Sequence, residues 1–323
     1  MRTIFKRIIK LGILFVILFL FVNYGLNNIS EFEEIFKMFV SNSYVVLVLF
    51  VISLFSLFMN GFILNVLVLP FNIKLKPREY FGLSVVSNLY NLIFPFKGGS
   101  IIRAIYLKKN YSFSYSNFLS TLYAIYVLMF LVGSFVGLLS IVLIRIFYDI
   151  PTLNKVLYII LPLFLFTFGL IRFFPKFKES DNELFNKFIK ILNGWHIIKD
   201  NKRIIYTTLI ILFLQFIFGA VSIRLAYHAI GIDVPFLKAL FITTMEFLSI
   251  IISLTPGNLG ISESVNIFSA KILGIGLTEA IAVAVLVRLI NTILVLLLGP
   301  VFSWFLLKGV NHPRLISKVN LYR

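Results

Sequence analysis

Six ionisable residues fall where the chain is otherwise strongly apolar: Lys97, Arg103, Glu246, Glu263, Lys271 and Arg288. Such groups are costly to bury in a membrane and mark ion or substrate paths by default. Arg288 is the sharpest case, because it interrupts AIAVAVLVRLINTILVLLLG. A guanidinium suits two-pronged contact with a phosphate. It equally suits a structural ion pair with Glu263 or Glu246, and the two roles are compatible. Lys97 lies in PFKGG, between Pro95 and the pair Gly98–Gly99, a position that favours a cavity. Arg103 has two readings: a cavity cation, or an interfacial residue whose head snorkels to water. Lys271 and Glu279 read as solvated near the outer surface, and Arg145 and Lys238 as interfacial anchors. Nothing else looks catalytic. The three histidines, His196, His228 and His312, are dispersed, with no metal-ligand spacing. There is no phosphate-binding glycine loop, nucleotide fingerprint or Ser/His/Asp set, so no cofactor is expected. With no cysteines, disulfide and thiolate chemistry are excluded.

The elements that position these residues follow from the solvent. The chain of 323 residues is 60% hydrophobic and only 13% charged. A soluble domain of that size could not hide so much apolar surface. Several runs are long enough to cross a hydrocarbon core of about 30 Å. The expected fold class is therefore an all-α polytopic membrane protein, a single integral domain over residues 1–323. The net charge of +17 fits basic loops on the cytoplasmic side. No basic–aromatic module stands apart from the spans, so nucleic acid is not an expected partner.

Six spans and their sides can be read together. The first covers about Leu11 to Leu26 and is read as a retained helix rather than a cleaved signal. Arg2, Lys6, Arg7 and Lys10 put its N-terminus in the cytoplasm. Further spans are expected at about Tyr44 to Leu69, Asn117 to Ile144, Val156 to Phe174, Ile204 to Ile230 and Ala280 to Leu307. The C-terminus is also expected in the cytoplasm, and the expected location is the plasma membrane. The polar stretch from Pro175 to Arg203 contains an amphipathic segment, about 181–199. Leu184, Phe188, Ile191, Trp195 and Ile198 form its apolar stripe. It either lies in the interface or packs under the bundle.

Two segments do not fit as crossings. A single helix through residues 80–110 would strand Lys108 and Lys109 outside and carry Pro95, Gly98 and Gly99 in its middle. A re-entrant hairpin removes both problems. Residues 236–276 break likewise at Pro256, Gly257, Asn258 and Gly260, and enter from the opposite face. Span, hairpin and span thus recur over about 44–147 and 204–308 as an inverted repeat, a pattern common in secondary transporters. A helix broken in hydrocarbon strands backbone polar groups, so the tips should line protein or a polar cavity. The second half-helices are expected to begin near Gly98 and Asn258. Their free N–H groups would aim into that cavity and favour an anion such as a lipid phosphate.

SLTPGNLGISES followed by VLVRLIN, together with NLIFPFKGGSIIRAIYLKKN, resembles the flippase-like transmembrane family. That family includes the membrane domain of lysylphosphatidylglycerol synthases. The matching positions are Pro256, Gly257, Gly260, Glu263 and Arg288, and Pro95, Gly98, Gly99 and Arg103. The resemblance implies movement of an anionic or modified lipid between leaflets, or a membrane part in lipid-linked glycan assembly. Two departures stand out. No soluble acyltransferase-like domain is present, so lysyl transfer is not expected of this chain alone. Many members carry a Glu–Arg pair after the first hairpin, where this chain reads TLYAIYVLMFLVG; a symmetric charge relay is therefore not expected.

The leading expectation is a lipid flippase-like transporter and not an enzyme. Lys97, Arg103 and Arg288 would neutralise the head-group phosphate, and Glu263 and Glu246 would hold those cations or answer a coupling ion. Its partners would be membrane lipids. The alternative is a membrane subunit of a lipid-linked glycan or lipid-modifying enzyme, with a partner bearing a soluble catalytic domain. A non-transporting scaffold is a third class.

Overall fold

The computed structural model describes residues 29–94, 97–178, 183–252 and 255–309. The expected first span, Pro95 at the first hairpin tip and the basic tail from 310 lie outside the described residues. Those residues form helices and no strands. In chain order the helices are α1 (Ile29–Ser41), α2 (Ser43–Val68), α3 (Pro77–Ile93), α4 (Gly99–Tyr111), α5 (Tyr115–Tyr148) and α6 (Leu153–Phe173). They continue as α7 (Glu183–Lys199), α8 (Lys202–His228), α9 (Phe236–Leu248), α10 (Ile261–Ile272) and α11 (Leu277–Gly309).

Five of them, α2, α5, α6, α8 and α11, are long and apolar enough to cross a bilayer. They fall on the five expected spans within the described residues, with ends displaced by only a few positions. The chain is a polytopic helical membrane protein. Helix α5 is central, packed by α6, α7, α8 and α9. Helix α6 buries only Leu153, Ile160 and Thr167. Its remaining face, including Tyr158 and Ile159, turns outward as lipid-facing surface would.

The four helices of the two broken segments are short, with 17, 13, 13 and 12 residues. At 1.5 Å per residue none exceeds about 26 Å, so none alone reaches across a core of about 30 Å. Helix α4 folds back on α3, and α10 on α9. Long, short, short, long is the order in α2–α5 and again in α8–α11.

Polar side chains fasten the first hairpin at its base. Glu79 accepts hydrogen bonds from the Lys76 amide at 2.8 Å and from the hydroxyls of Tyr106 (3.0 Å) and Tyr111 (2.7 Å). One buried carboxylate thus caps α3 and holds α4 to it. Higher up, Gly99 lets the two helices touch. A methyl group there would collide with the Ser87 carbonyl.

The amphipathic segment is α7, and it packs against the bundle. Ile189, Trp195 and Ile198 are buried, and the Ser120 hydroxyl of α5 donates to the Ile191 carbonyl at 2.7 Å. The expected stripe needs one correction: Phe188 is exposed and Ile189 takes the inward place. The helix is rotated so that Gly194 can sit against Ser120, which swings Phe188 outward.

The close approach at Gly99 makes a prediction. Gly99→Ala should destabilise the protein by about 1–3 kcal/mol through overpacking. Gly169→Ala, where nothing lies within 4 Å of the new carbon, should be neutral or slightly stabilising. Thermal unfolding of both variants in detergent checks this pair.

Candidate functional site

The two breaks meet. The Gly257 backbone at the tip of the second hairpin lies against Leu92 at the end of α3. Between the two breaks and α11 is a cavity of about 310 Å³ in which polar and charged side chains are set among apolar ones. The first hairpin contributes Asn88, Asn91 and Lys97. The second contributes Glu246, Ser249, Thr255, Asn258, Ser262, Glu263 and Asn266. Helix α11 adds Arg288, Asn291 and Thr292.

The backbone of the second break explains its glycines. Gly257, Asn258 and Gly260 have φ of 60°, 58° and 81°, a region in which most side chains are strained. Pro256–Asn258 forms a short 3-10 turn, and α10 begins only at Ile261. The expected start near Asn258 is thus corrected by three residues, because three left-handed positions cannot continue a helix.

Glu263 organises this turn. Its Oε2 accepts from the Gly260 amide at 2.7 Å and from the Ser262 hydroxyl at 3.2 Å. Its Oε1 lies 3.3 Å from Arg288 Nη1. The same Nη1 donates to the Gly257 carbonyl at 2.9 Å. A side chain of α11 therefore holds a backbone carbonyl of the break, and a side chain of α10 holds a backbone amide. The ion-pair reading of Arg288 is realised with Glu263. Its other nitrogen, Nη2, is buried and has no hydrogen-bond partner.

Lys97, in the left-handed region at φ 56°, donates to the Tyr126 hydroxyl at 3.0 Å. Its ammonium lies 4.3 Å from the centre of that ring, a cation–π contact. Glu246 accepts from Asn266 Nδ2 at 3.0 Å and belongs to no ion pair among the described residues.

Arg103 is not a lining residue. It is buried between helices, with Nε donating to Ser87 Oγ at 2.6 Å and Nη2 to Asn60 Oδ1 at 3.3 Å. Neither sequence reading, cavity cation or snorkelling head, describes it; the hydroxyl and amide supplied by α3 and α2 satisfy it inside the bundle.

The half-helix N-termini also depart from expectation. In α4 the Gly99 amide donates to Asn91 Oδ1 at 2.8 Å, and the next two amides reach the Lys97 and Gly98 carbonyls. In the second hairpin Glu263 occupies the Gly260 amide. In α4 the first N–H groups are therefore used within the chain and are not left for an anion, whereas in the second hairpin the amide taken in this way is that of Gly260, just ahead of α10. The lining consequently carries two cations, Lys97 and Arg288, against two carboxylates, Glu246 and Glu263. It is charge-balanced, not the cationic pocket the sequence suggested. Gly98 caps α4.

Tyr126, Ser249 and Asn266 were missed in the sequence. Spacing offered a signal: Asn266 is three residues after Glu263, Ser249 three after Glu246, and Asn291 three after Arg288. Residues three apart share a helical face.

Glu263→Gln and Arg288→Met should each cost about 1–3 kcal/mol, somewhat below the penalty for stranding one partner of a fully buried pair, because this pair is partly exposed. The double variant should cost less than the sum. Equilibrium unfolding in mixed micelles measures the cycle; strict additivity would mean that the pair does not act as a unit.

Comparison with known proteins accords with this architecture. No curated protein and no solved structure matches the chain at a significant level. The family described as the lysylphosphatidylglycerol synthase TM region matches residues 7–299. That match takes in both hairpins and every residue of the cavity, and the chain belongs to the lysylphosphatidylglycerol synthase transmembrane-region family.

Proposed function

We propose that the chain is a lipid transporter of the flippase kind. It moves an anionic or modified phospholipid, or a polyprenyl-phosphate-linked lipid, between the leaflets of the plasma membrane. The observation that carries this reading is Arg288 Nη2, a buried guanidinium nitrogen without an acceptor at the cavity. A phosphate oxygen would supply that acceptor. Lys97, held by a neutral hydroxyl and no carboxylate, would provide the second positive charge. The acyl or prenyl tail would stay in the lipid.

Four helices too short to cross support hairpins that enter and leave on one face. In this reading the two enter from opposite faces, the termini are cytoplasmic, and the cavity lies near the midplane, as in transporters built from inverted repeats. The head group would reach the meeting point of the breaks from either side. The chain would move its substrate without changing it.

A second reading takes support from the family's description as the membrane region of a synthase. The chain would then be the membrane subunit of a lipid-modifying or lipid-linked glycan enzyme, presenting the lipid to a partner with a soluble catalytic domain.

Reconstituted vesicles with a labelled anionic lipid test transport. Lys97→Ala, which removes one charge-assisted contact, should slow movement roughly 10–100-fold. Arg288→Lys keeps a charge opposite Glu263 but loses the spare nitrogen, and should slow it about 10-fold. Movement equal to that in protein-free vesicles, with a catalytic partner co-purifying, would replace transport with the subunit reading.

A further inference from the structure

One group of side chains at the second break has more acceptors than donors. Ser249 Oγ donates to the Glu246 carbonyl at 2.6 Å. Asn258 Nδ2 donates to that Ser249 Oγ at 3.2 Å. Asn266 Nδ2 donates to Glu246 Oε2 at 3.0 Å. These bonds fix which way both amides face, since each nitrogen must point at an acceptor. The oxygens remain. Asn258 Oδ1 and Asn266 Oδ1 are both buried without a hydrogen-bond partner, and Asn266 as a residue is only 2% exposed. Glu246 Oε1 receives no donor from the described residues, and no cationic side chain among them pairs with the carboxylate.

Buried acceptors left bare are expensive, and natural proteins rarely leave them so. All these residues line the same cavity. Helix α9 ends here, at Leu248, so the negative end of its dipole adds to the excess.

We propose that Glu246, Asn258 and Asn266, backed by Ser249, form a binding site for a small monovalent cation, with sodium the ion that fits. The donor set is all oxygen, which suits a hard cation. Glu263 is paired with Arg288, which leaves Glu246 without an ion-pair partner among the described residues, and its single charge matches one positive charge. Among the described residues no group of three His, Cys, Asp or Glu could hold a metal ion, which disfavours a divalent or transition metal. A proton on Glu246 would supply a single O–H donor, enough for at most one of the two bare amide oxygens. A lipid ammonium is too large to reach oxygens that lie out of solvent's contact. The bound ion would join three parts of the hairpin: α9 through Glu246, the turn through Asn258 and α10 through Asn266. This site does not depend on the cavity taking a lipid.

The test uses the full chain purified in a maltoside detergent, without ammonium lipids, at constant ionic strength. Sodium chloride should raise Tm saturably over choline chloride, as any ligand of the folded state does. Equilibrium binding of radioactive sodium should saturate with the same midpoint. In Glu246→Gln and in Asn266→Ala that midpoint should move at least about tenfold to higher sodium. Gly169→Ala, on α6 with nothing within 4 Å of the new carbon, should leave it unchanged and shows that a folded variant still responds. A wild type that binds no sodium overturns the proposal, as does a Glu246→Gln protein with the wild-type midpoint. A Tm that answers acidification and not sodium, and does so only when Glu246 is present, overturns it in favour of a protonation site. Loss of lipid transport alone would leave the sodium result standing, so the two readings fail separately.

Discussion

Breaking a helix among apolar, membrane-spanning helices is the constraint around which the second hairpin is built. The turn from Thr255 to Gly260 frees amides and carbonyls that apolar surroundings cannot satisfy. Arg288 and Glu263 meet that need jointly, one holding the Gly257 carbonyl and the other the Gly260 amide, 3.3 Å from each other. Each charge therefore has a backbone partner as well as an ionic one. A buried ion pair is only weak evidence of stability when it stands alone, because desolvation offsets attraction. Here the pair also closes the backbone account of the turn, and α11 becomes the strut that keeps the break in shape.

The first hairpin meets the same constraint with a neutral amide at its break and a carboxylate only at its base. Asn91 takes the Gly99 amide, Ser87 and Asn60 take the Arg103 guanidinium, and Glu79 fastens the base. The two hairpins match in the order and length of their helices but not in chemistry. Of the first hairpin's charged side chains only Lys97 lines the cavity. The second hairpin and the helix after it supply the other three charges. The charge-free segment after the first hairpin, TLYAIYVLMFLVG, contributes Tyr126 as a neutral seat for Lys97.

The spans and breaks were legible because their signals are strong and local. Apolar length alone gave five of the crossings, and proline with paired glycines gave the interruptions. Which charges would share the cavity was much less legible. Arg103 and Lys97 are six residues apart in one motif, yet one is absorbed by Ser87 and Asn60 and the other lines the cavity. Sequence carries no record of that choice, since it depends on how α4 rolls on α3 at Gly99. Asn91 bonds across the two helices, at the Gly99 amide, while also lining the cavity, a double role that its place in the sequence does not announce. The inward face of α7 was missed by one residue for a similar reason: Gly194 meeting Ser120 sets the rotation, and periodicity does not report it.

The charge balance of the cavity bears on what it can hold. Lys97 and Arg288 oppose Glu246 and Glu263, but the four are not paired evenly. Arg288 and Glu263 close on each other, leaving Lys97 against a phenol and Glu246 against an amide. The leftover hydrogen-bonding capacity is divided in the same way, a bare donor on Arg288 and bare acceptors on Asn258 and Asn266. An anion seated at Arg288 would add negative charge to a low-dielectric site that already contains Glu246, and that repulsion would weaken its binding. A cation among the asparagine oxygens would cancel Glu246 and remove the repulsion. Each ligand would then favour the other, a coupling that must be reciprocal. The uneven pairing of four charges is enough to produce it, without any symmetry between the two hairpins.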